Sequence, residues 1–469
     1  MLERGLAPDF SPAAMAELEK IHDPARRTST SIRDLTGLLW CSIDNDDSRD
    51  LDQLSVAESV AEGTKVRVAI ADVAETVKKG SAIDEHARMN TTSVYTAGGT
   101  FPMLPEKLST DLTSLGFGEE RVSFVIEMLF DAEGALKNSD VYSALVKNKA
   151  KLAYNSVAAW LDGTGPIPAA IAAVPGLAEN IRLQCKVAGQ LRELRHMRGA
   201  LSLETLQARP VFAGDVLQDL LPDPSNIAKN LIEELMVAGN GVTARFLAAR
   251  KLPSIRRVVR TPAKWARIVE LAAERGSSLP PEPDGRALEH FLLEAKTADP
   301  GYFPELSLCI IKLLGRGEYL VEFPGGSVAG HFGLAVADYA HSTAPNRRFP
   351  DLLVQRLLKA AISSSKLPYT GDELTELARH CTEQEDAAKK VERQVIKSAG
   401  AMLLANRVGE KFSVTVTGAS EKGTWVRLLS PPIEGKLVKG QDNKKVGDRL
   451  RVQLVFTDIE RGYIDFVAA

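Results

Sequence analysis

In the stretch CSIDNDDSRDLDQLSVAE, residues 41–58, five aspartates fall within nine positions and run into an alternating apolar segment. Carboxylates packed this densely can hold a divalent cation for phosphoryl chemistry, form a calcium loop, or lie in a solvated turn. The calcium loop fails on register. Counted from Asp44, ligand-type residues stand at positions 1, 3 and 5, but the turn glycine is replaced by Arg49 and the bidentate glutamate by Ser55. Read as a strand, DLDQLSVA sends Asp50 and Asp52 to one face and Leu51 and Gln53 to the other. Two carboxylates on one face, with Asp44 returning across a short loop, can converge on a small site. Their mutual repulsion is relieved by a divalent cation. From pattern alone a metal site and a solvated turn both stay open.

Other metal chemistries have less support. The four cysteines, Cys41, Cys185, Cys309 and Cys381, form no CxxC pair, which argues against a zinc ribbon or a disulfide framework and fits a reducing compartment. None of the seven histidines has ligand spacing, so His331 and His341 read as structural. The N-terminus lacks the apolar core of a signal peptide, and no run is long enough to cross a membrane. A cytoplasmic protein is therefore expected. A net charge of −3 means that a nucleic-acid partner would have to be held by a local basic groove.

The elements that must position the aspartates can be read coarsely. The 469 residues exceed a single ordinary core, so two or three domains are expected in an α+β arrangement. Residues 1–36 read as a short helical segment, helix-turn-helix-like, that includes the basic polar link PARRTSTS. Strand patterns flank the aspartates, with a further pair of strands joined by an Asp-Ala-Glu-Gly turn at 131–134. Helical periodicity then dominates, ending in a long amphipathic region from Asp372 to Arg407. From residue 407 to 469 the character changes to short alternating strands and Gly-rich turns at the spacing of a small barrel. That module resembles an OB-fold RNA-binding domain. Phe412, Trp425, Lys436, Lys439, Lys444 and Lys445 are its candidate contacts, while Phe412 and Trp425 could equally be barrel core.

Four stretches in order, SIDNDDSRDLDQ, FPMLPEKLSTDLTSL, LIEELMVAGN and HFGLAVADYAHSTAPNRRFPDLLVQRLL, make residues 37–469 resemble the ribonuclease II/R family of RNB-domain exoribonucleases. The resemblance implies an RNB-type catalytic domain of mixed sheet and helices over 37–406 and a C-terminal OB fold over 407–469. It implies processive, hydrolytic 3′→5′ degradation of single-stranded RNA to nucleoside 5′-monophosphates, in RNA decay or processing, with no obligate protein partner. Magnesium is the implied cofactor in a two-ion site, with manganese able to substitute; two ions about 3.5–4 Å apart would orient a water and stabilise the leaving oxygen.

By position, Asp44, Asp50 and Asp52 match metal-site aspartates, and Gln53 stands where many members carry a fourth. Arg347 matches the arginine beside the scissile phosphate, where a guanidinium offsets developing charge. Tyr154 matches an aromatic that packs on the 3′-terminal base, and Tyr95 a further aromatic of the RNA channel. Lys147, Lys149 and Lys151 alternate before Tyr154 as one row of phosphate contacts or a solvated edge, with Lys149 the candidate RNA contact. Glu233 matches a residue that hydrogen-bonds ribose hydroxyls, its plain alternative being the polar face of a helix, and Glu392 matches another RNA contact. Leu203 occupies a place where some members carry a stacking phenylalanine. Family members usually carry two cold-shock-type OB folds in front of the catalytic domain, and some 36 residues cannot encode one. Two rivals remain: an RNA-binding protein without activity, suggested by Gln53, and a nuclease that also degrades DNA, which the Glu233 match disfavours.

Overall fold

Alternating apolar residues over 53–71 and 120–147 build the antiparallel heart of a mixed sheet. The computed structural model describes residues 1–26, 31–204, 208–213, 216–222, 224–421, 423–428 and 430–469. Residues 27–30 of the expected basic link lie outside the described residues. The strands are β1 (Arg33–Asp34), β2 (Cys41–Asp44), β3 (Gln53–Val60), β4 (Gly63–Ala71), β5 (Val94–Thr96), β6 (Gly99–Phe101), β7 (Glu120–Phe130), β8 (Leu136–Lys147) and β9 (Ala150–Ala153). Seven of them form one sheet in the order β1-β8-β7-β4-β3-β2-β9, while β5 and β6 make a separate hairpin. β1 with β8 and β2 with β9 run parallel, and the remaining pairs are antiparallel. Between β7 and β8 the carboxylate of Asp131 accepts from the amides of Glu133 and Ala135, and Gly134 takes a φ of 84°, which makes the Asp-Ala-Glu-Gly turn.

The helices are α1 (Pro12–Leu18), α2 (Val73–Thr76), α3 (Ala82–Asn90), α4 (Tyr154–Leu161), α5 (Ala169–Ala172), α6 (Leu177–Met197), α7 (Ile227–Ala249), α8 (Trp265–Ala273), α9 (Gly285–Ala298), α10 (Phe303–Leu314), α11 (Phe349–Ser363) and α12 (Gly371–Leu404). Several start at a local cap. Ser11 caps α1 with proline at its first position, and Thr370 and Glu373 form a reciprocal capping box at the start of α12. The sheet core, with Trp40, Ile43, Leu54, Ile70, Phe124 and Phe130, is covered by residues of α6, α7 and α11. A second core around Trp265, Phe291 and Phe303 joins α8, α9 and α10.

Two further strand pairs, β10 (Ala208–Ala213) with β11 (Val216–Pro222) and β12 (Ser254–Val258) with β13 (Glu318–Glu322), lie outside the sheet. The C-terminal strands β14 (Lys411–Ser420), β15 (Gly423–Leu428), β16 (Glu434–Lys439), β17 (Arg449–Asp458) and β18 (Tyr463–Ala468) close into a barrel in the order β14-β15-β16-β18-β17. This is the expected α+β arrangement of a mixed sheet with helices and a terminal barrel. No described helix is long and apolar enough to cross a membrane.

Three expectations are corrected. Among the described residues of the first 36, α1 is followed by no second α-helix, so a helix-turn-helix pair is not formed, and β1 already joins the sheet. Lys147, Lys149 and Lys151 do not form one row: Lys147 ends β8, Lys151 lies in β9 elsewhere in the sheet, and Lys149 stands in the turn between them. The strand assumed to carry Asp50 and Asp52 begins only at Gln53, so alternation does not govern those two positions.

Candidate active site

Asp44 ends β2, and its Oδ1 accepts from the Asn45 amide at 2.7 Å and from Ser48 Oγ at 2.9 Å, which folds the acidic loop back on itself. The segment from Arg49 to Asp52 then approaches β3. Leu51 turns into the sheet core, leaving Asp50 and Asp52 on its other side. All three aspartates, together with Gln53, line one cavity of about 820 Å³. Gln53 turns inward because it is the first residue of β3, where the strand's alternation has only begun. Asp46 and Asp47 are exposed on the loop and do not line the cavity.

The opposite partner of the carboxylates comes from a segment nearly three hundred positions later. The Asn346 amide donates to Asp52 Oδ1 at 2.9 Å, and Arg347 Nε donates to Asp52 Oδ2 at 3.2 Å. Thr92 Oγ1 and the Ser93 amide both donate to the Arg347 carbonyl, which fixes the backbone of this loop to the β5 side. Tyr95 follows in β5, with its hydroxyl 3.5 Å from Asp50 Oδ2 and its amide donating to Glu392 Oε1 of α12 at 3.0 Å. Tyr154, the first residue of α4, completes the group.

Burial shapes the electrostatics. Desolvation pushes Asp52 up to about 7, opposed by Arg347 and the Asn346 amide and reinforced by Asp50 and Asp351. Asp50 is raised by burial too, with Asp44 adding to the shift and Arg347 and Tyr95 opposing it. Burial likewise raises the Tyr95 and Tyr154 phenols and the Glu392 carboxyl. Burial and the neighbouring Arg348 work against the charge on Arg347, yet Asp52, Tyr95 and Asp351 hold its pKa above the ordinary value. A single cavity thus holds carboxylates that are costly to ionise beside a guanidinium that stays charged.

The donor chemistry fits a hard divalent cation: carboxylate oxygens, two of them desolvated and repelling one another, are stabilised by an ion that supplies the missing positive charge. Among the described residues, however, no three acidic, histidine or cysteine side chains are drawn together as a ligand cluster. Both Asp52 oxygens are engaged by Asn346 and Arg347 instead.

Not every expected residue reaches this cavity. Leu203 packs against the helical core around Trp265. Glu233 stands on the exposed side of α7, 3.5 Å from Arg195, while its neighbour Glu234 is buried against the same arginine. Lys149 is half-buried in its turn, and its amide donates to the Trp40 carbonyl. Trp425 sits half-buried on β15 opposite Lys436 of β16. Phe412 packs edge-on against Phe466 of the barrel core. Lys445 pairs with Glu270. His331 Nδ1 accepts from the Leu334 amide and His341 Nδ1 pairs with the Tyr319 hydroxyl, both structural arrangements.

Sequence reasoning missed the far wall. Lys312 of α10, Arg393 and Lys397 of α12, and Arg427, Ile433 and Glu434 of the barrel all line the cavity. Arg393 and Lys397 lie four apart on α12 beside Glu392, a spacing that could have pointed to them. Lys312, Arg427 and Glu434 meet only through packing of the barrel on α10, and no local signal announces them.

Residues 32–364 match the RNB domain, and residues 410–469 match the RNase II-type exonuclease C-terminal S1 domain. The chain is 29% identical to Ribonuclease R of Thermotoga maritima over 473 residues, covering 93% of this chain and 64% of the relative. It is 29% identical to Ribonuclease R of Escherichia coli over 488 residues, covering 96% of this chain and 58% of that one. The chain therefore spans about three fifths of the length of these relatives. Among solved structures, Mycoplasma genitalium RNase R in complex with ribose-methylated single-stranded RNA superposes with a TM-score of 0.88 at 23% identity, covering 100% of this chain and 77% of that one.

Proposed function

This chain belongs to the RNB-domain family, and from that membership we propose that it is a hydrolytic 3′→5′ exoribonuclease that shortens single-stranded RNA processively to nucleoside 5′-monophosphates. The observation that carries the reading is convergence: Asp44, Asp50, Asp52, Tyr95, Tyr154, Arg347 and Glu392, drawn from widely separated segments, line a single cavity.

In this reading Tyr154 and Tyr95 pack on the terminal nucleotides and hold the last phosphodiester against the carboxylates. Arg347 is released from Asp52 toward the phosphate, where its charge offsets that developing in the transition state. Asp44, Asp50 and Asp52 would hold magnesium, with manganese able to stand in and Gln53 offering an amide oxygen beside them. When bound, a pair of such ions supplies an activated water and charge stabilisation at the leaving oxygen. Glu392 orients Tyr95 through its amide. Residues 37–406 act as the catalytic unit and 407–469 as an RNA-binding barrel, with Trp425 and Lys436 as its stacking and phosphate contacts. Lys149, Leu203 and Glu233 contribute at most outside the cavity. The four free cysteines, three of them buried, support a reducing cytoplasm.

Incubation with 5′-labelled single-stranded RNA and magnesium tests the proposal. A ladder that shortens from the 3′ end is the expected result. RNA that is bound and left intact would identify an inactive RNA-binding protein, and equal attack on DNA a less selective nuclease.

A further inference from the structure

The stretch FPMLPEKLSTDLTSL, residues 101–115, contributes no side chain to the cavity, yet it bonds to both the loop that carries Arg347 and the loop that carries Asp50 and Asp52. It contains a π-helical turn, Lys107–Leu112, closed by the Thr113 amide donating to the Leu108 carbonyl at 3.0 Å. Such turns recur where local geometry serves a site. After it come three consecutive residues that bond to the arginine loop, the aspartate loop and Asn148.

Thr113 Oγ1 lies 2.5 Å from the Asn346 side-chain oxygen and 2.9 Å from the Leu108 carbonyl. One hydroxyl proton cannot serve both. With the Asn346 amide turned so that its nitrogen donates to Thr113, that proton is left for Leu108, and the buried Nδ2, otherwise without a partner, is satisfied. In either orientation Thr113 holds Asn346, whose own amide grips Asp52 and whose neighbour is Arg347. Ser114 Oγ accepts from the Leu51 amide at 3.0 Å and donates to the Arg49 carbonyl at 2.7 Å, so it brackets Asp50. The Leu115 amide donates to the Leu51 carbonyl at 2.9 Å, and the Leu115 carbonyl accepts from Asn148, which also reaches Ser42 on the strand that ends in Asp44. Thr113, Ser114, Asn148, Asn346 and Ser42 are all buried.

We propose that Thr113 and Ser114 are positioning residues that set the spacing between the arginine loop and the aspartate loop of the active site. The geometry assigns Thr113 to the Arg347 side and Ser114 to the Asp50 and Asp52 side; because the two are adjacent in the chain, one peptide unit ties the loops together beside their direct bonds at Asp52. Neither touches substrate, so their loss should act on turnover and leave binding alone. This inference rests on the exoribonuclease reading.

The test compares Thr113→Val, Thr113→Ser and Ser114→Ala with the wild-type chain for turnover on single-stranded RNA, RNA affinity and thermal midpoint. Thr113→Val keeps the side-chain shape and removes the hydroxyl, and should lower kcat by about ten- to a hundredfold, the scale of a misplacement of about 1 Å. RNA affinity and KM should stay within about twofold, since uniform binding is untouched. Thr113→Ser should restore kcat, and Ser114→Ala, which loses different bonds, should show the same split if Thr113→Val does not fold. Full turnover in folded Thr113→Val and Ser114→Ala would overturn the proposal, as would a loss shared equally by affinity and stability that Thr113→Ser does not rescue. A wild-type chain that leaves RNA intact would instead overturn the exoribonuclease reading.

Discussion

The two walls of the cavity are held by different physics. On the sheet side, Asp50, Asp52 and Arg347 are fixed by short hydrogen bonds to backbone and buried hydroxyls: Asn346 to Asp52, Ser114 to Arg49 and Leu51, Ser93 to the Arg347 carbonyl. On the barrel side, Glu434 of β16 is held at 2.6 Å by Lys312 of α10 and at 3.5 Å by Lys397 of α12, and Arg427 of β15 faces the buried Glu305 at 3.7 Å. Buried hydrogen bonds, including those that the Asp52 carboxylate accepts from Asn346 and Arg347, define position within tenths of an ångström and are screened little by salt. Ion pairs reach over longer distances, respond to ionic strength, and tolerate sliding. The wall that carries the aspartates is thus the more fixed one, and the wall of ion pairs opposite it the more adjustable one.

The sharpest way to break this contrast is at the fixed wall. Asp52→Asn and Arg347→Ala should each lower kcat by orders of magnitude, about 10²-fold or more, with RNA affinity nearly unchanged, because the lost contacts strengthen in the transition state. Substantial residual hydrolysis in Asp52→Asn would remove that aspartate from the catalytic set.

Acid should separate the walls without mutation. Burial holds His341 well below its ordinary value and His331 down to about 4, so both stay neutral in the folded protein while the unfolded chain takes up protons near pH 6.5. Below 6.5 the unfolded state binds more protons, and stability falls with pH by up to about 1.4 kcal/mol per unit for each histidine. The Glu434 carboxylate, lowered to about 2 despite burial by Lys312, Thr417 and Lys397, stays ionised throughout that window. Asp52, raised to about 7 by burial, runs the other way and gains stability as its folded-state carboxyl takes up a proton, so hydrogen exchange between pH 6.5 and 4 should read the balance of these opposed shifts at the arginine loop while the Glu434 contacts hold; changes shared equally by both walls would erase the distinction.

A smaller effect is expected at the adjustable wall. Glu434→Gln removes a partner of two lysines and should cost about 1–2 kcal/mol of stability, read from denaturant melts. It should also raise KM for RNA more than it lowers kcat, and flatten the salt dependence of the melting midpoint.

The smallest expected change is at Gln53. It lines the cavity beside the aspartates, so Gln53→Asp adds a carboxylate that should raise apparent magnesium affinity severalfold, on the order of the gain from one extra hard ligand charge. Titration of magnesium against rate reads this directly, and coincident curves would place Gln53 outside the metal shell.

Local chemistry carried much of this molecule. The acidic stretch, the Arg347 context, the strand and helix periods and the change to barrel-like strands at residue 407 are set by residues close in the chain, because side-chain period and turn chemistry act over a few positions. The same locality explains where pattern and placement differ. Alternation suggested that Gln53 faces away from Asp52, whereas the start of β3 turns it inward. It also joined Lys147 and Lys151 into one row that the sheet order separates. Glu233 and Leu203 are plausible by position, but one faces solvent from α7 and the other a helical core.

The sequence by itself determined which groups are available: carboxylates, a guanidinium and two aromatic rings in their own local settings. Only the tertiary structure decided that Asp52 meets Arg347 across nearly three hundred positions, that Thr113 and Ser114 stand between the two loops, and that Lys312, Arg427 and Glu434 close the cavity from the other side. The physical reason is that bringing distant segments together is driven by burial of the apolar sheet and barrel cores, which is non-directional and leaves no local mark on the polar residues it assembles.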